Sequence, residues 1–517
     1  MAALFRAIVG FALVALSATA SHAAEAAPTI MDTIMKYNGI IGEIVWGWPM
    51  IILIVGTGVY LTLLLGVPQL RYFFLMFKQV FGSKKDTKSE GSISSFAALA
   101  TALAATVGTG NIAGVGTAVA VGGPGALFWM LVSAIFGMTT KFTEVALAVN
   151  FRDKDADGSW RGGTMYMIEK GTGQKWLAWL FAIFAFLASF GIGCATQANS
   201  TAEGLEMGFN IPVQYTGIVL AILVAIVIIG GLTRLAMVTT LLVPAMAVFY
   251  IIGASWIVIE NSALIPLAFS NAVKYAFTDP MAMPGAIMGW TVLISIRRGI
   301  SRGLFSNEAG LGSAPMVHAT ATVDHPVRQG LYGLFEVFVD TIIICTLTGL
   351  TIMLTGVLGH TWIEGVEVFN AATPDLYNVF TTANHITGAQ LSLAAFEAGL
   401  GKVAGHIVLP VALSLFAFTT ILGWFWYSET AAVYIFGVKI KPVVKILFIA
   451  MTFVGAAGGQ LLGTIGNDFL NNLWEIADTL NGLMAIPNLI ALILLSGVMR
   501  RLVREFDEKR KSGELKV

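Results

Sequence analysis

Charge is what this chain has least of. Only 12% of its 517 residues are Asp, Glu, Lys or Arg, against about a quarter in soluble domains. Cysteine is nearly absent too. Cys194 and Cys345 both fall in apolar runs, which argues against a disulfide framework and a Cys-based metal site. Six scattered histidines without an HExxH pattern give zinc chemistry no support. What is abundant is hydrocarbon: 56% of residues are apolar and the mean hydropathy is +0.80. A chain of this length and composition is a polytopic membrane protein. Its 56 glycines suit close-packed membrane helices.

Eleven apolar runs are long enough to span a bilayer: Trp46 to Leu65, Phe96 to Ala120, Ala126 to Val149, Trp176 to Thr201, Val213 to Gly231, Leu235 to Val258, Ala286 to Ile300 with a break beyond, Leu331 to Val357, Val403 to Phe425, Val443 to Leu462, and Leu473 to Val498. Residues 1–24 resemble a secretory signal: Arg6, the apolar run Ala7 to Ala18, then Ser21-His22-Ala23. An uncleaved anchor or an interfacial helix is the alternative. Basic residues gather in alternate loops: Lys84, Lys85 and Lys88; Arg152, Lys154, Arg161, Lys170 and Lys175; Arg234; Arg297, Arg298, Arg302 and Arg328; Lys439, Lys441 and Lys445; and six in the tail from Arg500 to Lys511. The other loops hold little beyond Lys36, Lys274 and Lys402. By the positive-inside rule the N-terminus lies outside and the C-terminus in the cytoplasm of a bacterial-type inner membrane. Pro266 to Phe277 and Leu391 to Leu400 read as amphipathic outer helices, either lids or packing elements.

The most telling stretch is Thr106-Val107-Gly108-Thr109-Gly110-Asn111, inside the second run. Glycines and small polar residues there invite the backbone to unwind. Unpaired backbone groups in hydrocarbon cost several kcal/mol, so a break survives only where it lines a cavity or holds a ligand. A second interruption runs from Gly299 to Pro315. With the first span taken as an extra, ten remain, five and five, each half opening on an interrupted helix. An odd number per half inverts one half relative to the other, and paired broken helices point to a midplane site of a secondary transporter. The expected division is 25–94 for the N-terminus, first span and loop, 95–231 for the first repeat, 232–283 for the sixth span and outer connection, 284–499 for the second repeat, and 500–517 for a solvated, partly frayed tail.

Three runs carry a resemblance: Val107 to Val115 (VGTGNIAGV), Gly162-Gly163-Thr164-Met165-Tyr166 with Ile168-Glu169-Lys170-Gly171, and Arg302 to Pro315 (RGLFSNEAGLGSAP). Together they resemble the alanine or glycine:cation symporter family. The resemblance implies an all-α fold of about eleven transmembrane helices, leucine-transporter-like, a 5+5 inverted repeat preceded by one extra helix. It also implies sodium-driven uptake of alanine or glycine, with the proton as an alternative coupling ion and no cofactor. By the same similarity, Thr106 and Asn111 would serve a sodium site beside the substrate. Ala104 and Val107 would face Phe416, Thr419 and Thr420 at a second. Gln197 would touch the substrate. Cys194-Ala195-Thr196-Gln197 departs from the family's Asn-Met before Thr-Gln, which bears on pocket shape.

Each candidate has a plainer reading. Gly108, Thr109 and Gly110 offer N–H groups to a carboxylate at a half-helix end, or simply pack closely through Gly110-x-x-x-Gly114. Thr419 and Thr420 could back-bond to carbonyls one turn earlier. Gln197 and Asn199 sit mid-span and need partners there, substrate or helix. Trp424, one turn after Thr420, walls a methyl-sized pocket, or belongs with Trp426 and Tyr427 to an interface belt. Asp153-x-Asp155-x-Asp157-Gly158 mimics a calcium loop, but Thr164 stands where the bidentate Glu is needed, so a solvated loop is expected. Lys141 and Glu144 suggest a structural ion pair. Glu308 caps a helix, pairs with Arg298 or Arg302, or gates. Glu336 and Asp340 share a face of the eighth span and need partners.

The function expected is cation-coupled import of a small neutral amino acid by alternating access. Membrane lipid surrounds the protein, and neither nucleic acid nor a catalytic constellation is involved. Same-fold transport of serine or glutamine is the first rival. An amino-acid sensor is the second, weakened by a tail too short for an output domain. A membrane-embedded enzyme is the third, weakened by the lack of a His, Asp or Cys cluster in the spans.

Overall fold

A computed structural model of the chain describes residues 30–82, 89–278, 292–358 and 388–515. The signal-like segment, Lys84, Lys85 and Lys88, and the start of the seventh span before Val292 lie outside them. Eight helices among the described residues are long and apolar enough to cross a membrane: Ile30–Leu64, Gly125–Asn150, Lys175–Phe209, Gly231–Glu260, Pro326–Leu354, Lys402–Phe436, Val438–Leu462 and Thr464–Leu494. The pair Ser95–Thr106 and Gly110–Gly122 adds a span bent by 51°, and Val213–Ile229 is a shorter apolar helix. Both expected amphipathic segments are helices, Ile265–Phe277 and Gly388–Leu400.

Within the described residues the first helix is already formed at Ile30, well before Trp46, and turns at Trp46-Gly47 before Trp48–Leu64. The seventh helix also differs from expectation. It runs unbroken from Val292 to Asn307, through Gly299. That glycine serves packing, because a Cβ there would stand 2.3 Å from the Ala126 carbonyl oxygen of the neighbouring helix Gly125–Asn150. The break comes later, at 308–314, followed by the single turn Pro315–His318. Gly310 and Gly312 have φ of 91° and 80°, and Glu308 shares this left-handed region at 54°. Without such residues the chain could not fold back in so few steps.

Two short strands tie one end of the bundle. Ile93–Ser94, which leads into the first broken helix, pairs in parallel with Ala321–Thr322, which follows the second. At the same end Arg152 donates to the carbonyls of Ala321 and Glu90. The tail is not frayed: Ser496–Lys511 is helical, with Phe506 buried and Asp507 accepting from Tyr72 Oη at 2.8 Å and pairing with Arg71.

The opposite end holds an open cleft lined by Trp46, Arg297, Arg298, Ser301, Arg302, Phe305 and Asp478. Ser295 Oγ donates to the Gly122 carbonyl there, at the far end of the first broken helix from Ile93. The three arginines therefore do not belong with Arg152 and Arg328, as their loop assignment implied. Linear charge counting failed because it took the break to begin at Gly299 and so shortened the helix.

The calcium-like loop is a small antiparallel hairpin, Asp153–Lys154 against Trp160–Arg161. Each carboxylate already has its own cation: Asp153 pairs with Lys170, Asp155 with Arg161, and Asp157 with Lys441. The loop is therefore knit by ion pairs rather than freely solvated.

Candidate functional site

The first break is short. Ser95–Thr106 ends when Val107 turns to φ −77°, ψ 90°, and the chain resumes as a π-helical turn, Gly110–Gly114, then Val115–Gly122. Asn111 closes the gap. Its Oδ1 accepts from the Gly108 N–H at 2.9 Å, while its Nδ2 donates to the Asp340 carbonyl at 3.1 Å and to Asp340 Oδ1 at 2.6 Å. Thr348 Oγ1 donates to the Asn111 carbonyl at 2.8 Å. The Gly108 N–H thus faces Asn111 rather than standing free for a carboxylate.

Across from the break runs Lys402–Phe436. Thr420 Oγ1 donates to the Phe416 carbonyl at 2.9 Å and lies 3.4 Å from the Val107 carbonyl. Thr419 Oγ1 also donates to Phe416, at 3.0 Å. A Cβ on Gly108 would meet Thr420 Oγ1 at 2.5 Å, so only glycine permits this approach. The fold therefore gathers the oxygens of Val107, Phe416, Thr419 and Thr420 at one point. Gly423 passes close against Ala105 of the same broken helix, and Ala104 is buried. Thr106 Oγ1 turns to the Ala102 carbonyl at 3.3 Å, and Thr109 is buried at the start of the π turn. Oxygen-rich, neutral and buried, this arrangement suits a hard monovalent cation.

Gln197 and Trp424 meet a second π-helical segment, Gly191–Ala195. Gln197 Nε2 donates to the Ile192 carbonyl at 3.1 Å, and its Oε1 is buried with no protein donor among the described residues. Trp424 is 1% exposed, which excludes an interface belt. Gly193 lies directly against it, since a Cβ there would come 2.3 Å from Trp424 Cβ. Asn199 stands apart, its Nδ2 donating to Glu203 Oε1 at 2.9 Å near the surface. Cys194 packs on Thr452, with its Sγ 3.3 Å from Oγ1.

The second break is held by charge. Glu144 Oε1 accepts from the Gly310 N–H at 3.0 Å and from Asn488 Nδ2, and Asn488 also donates to the Gly310 carbonyl at 2.9 Å. Lys141 does not pair with Glu144. It pairs with Glu336 at 3.3 Å, and Glu336 also meets His318 Nε2 at 3.0 Å. Glu308 accepts from Ser313 Oγ and, among the described residues, forms no ion pair with Arg298 or Arg302. No cluster of His, Cys, Asp and Glu among the described residues is arranged to hold a metal.

Sequence reasoning passed over Ser306, Thr341, Cys345 and Thr348, which surround Asn111 and Asp340. An ionisable residue inside a span was the available signal. The π-helical segments, frequent at functional sites, have no clear sequence mark.

A family model described as "Sodium:alanine symporter family" matches residues 31–517. The chain belongs to the sodium:alanine symporter family. It is a multi-pass secondary transporter, not an enzyme, and couples amino-acid transport to sodium. The sodium/alanine symporter AgcS of Methanococcus maripaludis is 42% identical over 93% of this chain and 99% of its own length. The probable sodium/glutamine symporter GlnT of Bacillus subtilis is 34% identical over 92% of this chain and 91% of its own. Among solved structures, MhsT in complex with L-phenylalanine superposes with a TM-score of 0.52 at 14% identity, covering 80% of this chain and 98% of that one. That likeness bears on fold alone, and the fold is leucine-transporter-like.

Proposed function

We propose that this symporter imports alanine or glycine with sodium by alternating access. The observation that carries the reading is the convergence of Val107, Phe416, Thr419 and Thr420 oxygens beside the Asn111-capped break. Sodium would bind there, with Ala104 on the same turn, and at a second position formed by Thr106 and Asn111. The substrate carboxylate would approach the Gly108-Thr109-Gly110 turn, and Gln197 Oε1 would take the ammonium group. Trp424, with Thr420, would limit the side chain to a methyl group. Asn199 contributes nothing to this arrangement. Relatives named for alanine and for glutamine leave both substrates to be tested, and the buried Trp424 against Gly193 favours the smaller.

The end carrying Arg152, Arg328 and the tail is the cytoplasmic one in this reading, and the arginine cleft opens outside, with the N-terminus. The membrane potential then drives sodium inward with about 2.3 kcal/mol per charge per 100 mV. Counterflow of labelled alanine, glycine, serine and glutamine in proteoliposomes under a sodium gradient tests the whole reading. Alanine or glycine should accumulate. Accumulation of none would overturn it, and glutamine alone would reassign the pocket.

A further inference from the structure

Asp340 lies on the π-helical segment Phe338–Cys345, fully buried and between the two broken helices. Its Oδ1 accepts from Asn111 Nδ2 at 2.6 Å. Its Oδ2 accepts from Ser306 Oγ at 2.9 Å and from Thr341 Oγ1 at 2.7 Å. Every one of these donors is neutral. Among the described residues no Lys, Arg or His nitrogen forms an ion pair with Asp340, whereas Glu336, four residues earlier, has both Lys141 and His318.

An ionised carboxylate in a dry interior costs several kcal/mol unless a positive charge is supplied. Hydrogen bonds from an amide and two hydroxyls soften that cost without cancelling the charge. We propose that Asp340 is the anionic ligand of the sodium that binds beside Asn111, with Ser306 and Thr341 completing an all-oxygen shell. This inference rests on the symport reading above and adds the charged ligand, and two helices, to that site.

The side chains present are able to do this. A hydroxyl has two lone pairs besides its proton, so Ser306 and Thr341 can rotate from donating to Asp340 to accepting a cation between them. Asn111 Oδ1 keeps a second lone pair beyond the one used by Gly108. Hard cations favour such oxygen sets. The placement has a mechanical consequence. Asn111 belongs to the first broken helix, Ser306 to the last turn before the second break, and Asp340 and Thr341 to the eighth span. A cation held by all four ties together three elements, so occupancy of the site biases their relative arrangement, which is what ion coupling requires.

The test uses full-length protein in proteoliposomes and measures labelled-alanine binding against sodium concentration. Asp340→Asn keeps the shape and removes the charge. The sodium needed for half-saturation should rise at least about tenfold, and the steepness of the sodium dependence should fall, while alanine still binds at saturating sodium. Ser306→Ala and Thr341→Val leave the charge in place and should each shift the requirement about threefold, keeping the question answerable if Asp340→Asn does not fold. Wild-type sodium dependence in Asp340→Asn, or in both hydroxyl variants, overturns the proposal. So does a loss of alanine binding with the sodium requirement unchanged, which would mark Asp340 as a packing partner of Asn111. Failure of the symport reading looks different, because wild-type protein would then show no sodium-dependent binding at all.

Discussion

The two helix breaks solve one problem in opposite ways. The first spans Val107 to Thr109, has no ionisable residue of its own, and resumes at once through a π-helical turn, its loose ends tied by one amide, Asn111, which itself rests on Asp340. The second takes the seven residues 308–314, needs two left-handed glycines and a left-handed Glu308, and is braced from outside by Glu144 and Asn488. A neutral break leaves carbonyl oxygens to share with a cation. A break whose polar groups are already engaged by fixed side chains has little left to share, and is better suited to holding two helices in register. In the function proposed above, the first break supplies ligand chemistry and the second is scaffolding.

The sharpest challenge to this contrast is Asn111→Ala. It leaves the Gly108 N–H and the Asp340 carboxylate short of a partner, so sodium half-saturation should rise more than about tenfold. Titrating sodium-driven alanine uptake checks this, and an unchanged requirement would return Asn111 to helix packing. Glu144→Ala should do the reverse. Two buried donors lose their acceptor, at about 1–3 kcal/mol each, so thermal unfolding in detergent should come markedly earlier. Sodium dependence in the surviving protein should match wild type; a shift as large as that of Asn111→Ala would erase the distinction between the breaks.

A smaller effect is expected at Trp424, which in the proposed function walls the substrate pocket. Trp424→Leu should let serine, valine or leucine compete with alanine, since a methylene is worth only about 1–3 kcal/mol of discrimination and a rigid wall rejects by clash. An unaltered competition profile would locate the size filter elsewhere. Least is expected of Glu308→Gln. The amide oxygen can still accept from Ser313, so sodium half-saturation should stay within about twofold and stability within about 1 kcal/mol. A large change in the sodium titration would make the second break a ligand site after all.

Hydropathy, glycine placement and the three family runs were enough to read a polytopic, leucine-transporter-like symporter and to place the first break inside Thr106 to Asn111. That is because apolar length and helix-breaking residues are local properties. The seventh helix was misjudged because Gly299 serves packing rather than bending, which only its approach to Ala126 reveals. Lys141 and Glu144 looked like partners at helical spacing, yet Glu336 and Gly310 claim them from other elements. Trp424 could be a belt residue or a pocket wall in sequence, and its burial against Gly193 decides against the belt. So local composition determined the class and the place of the first break, and the three runs carried the fold family by resemblance. Which carboxylate meets which donor was decided by tertiary structure, since a buried charge takes its partner from whatever helix folding brings within reach.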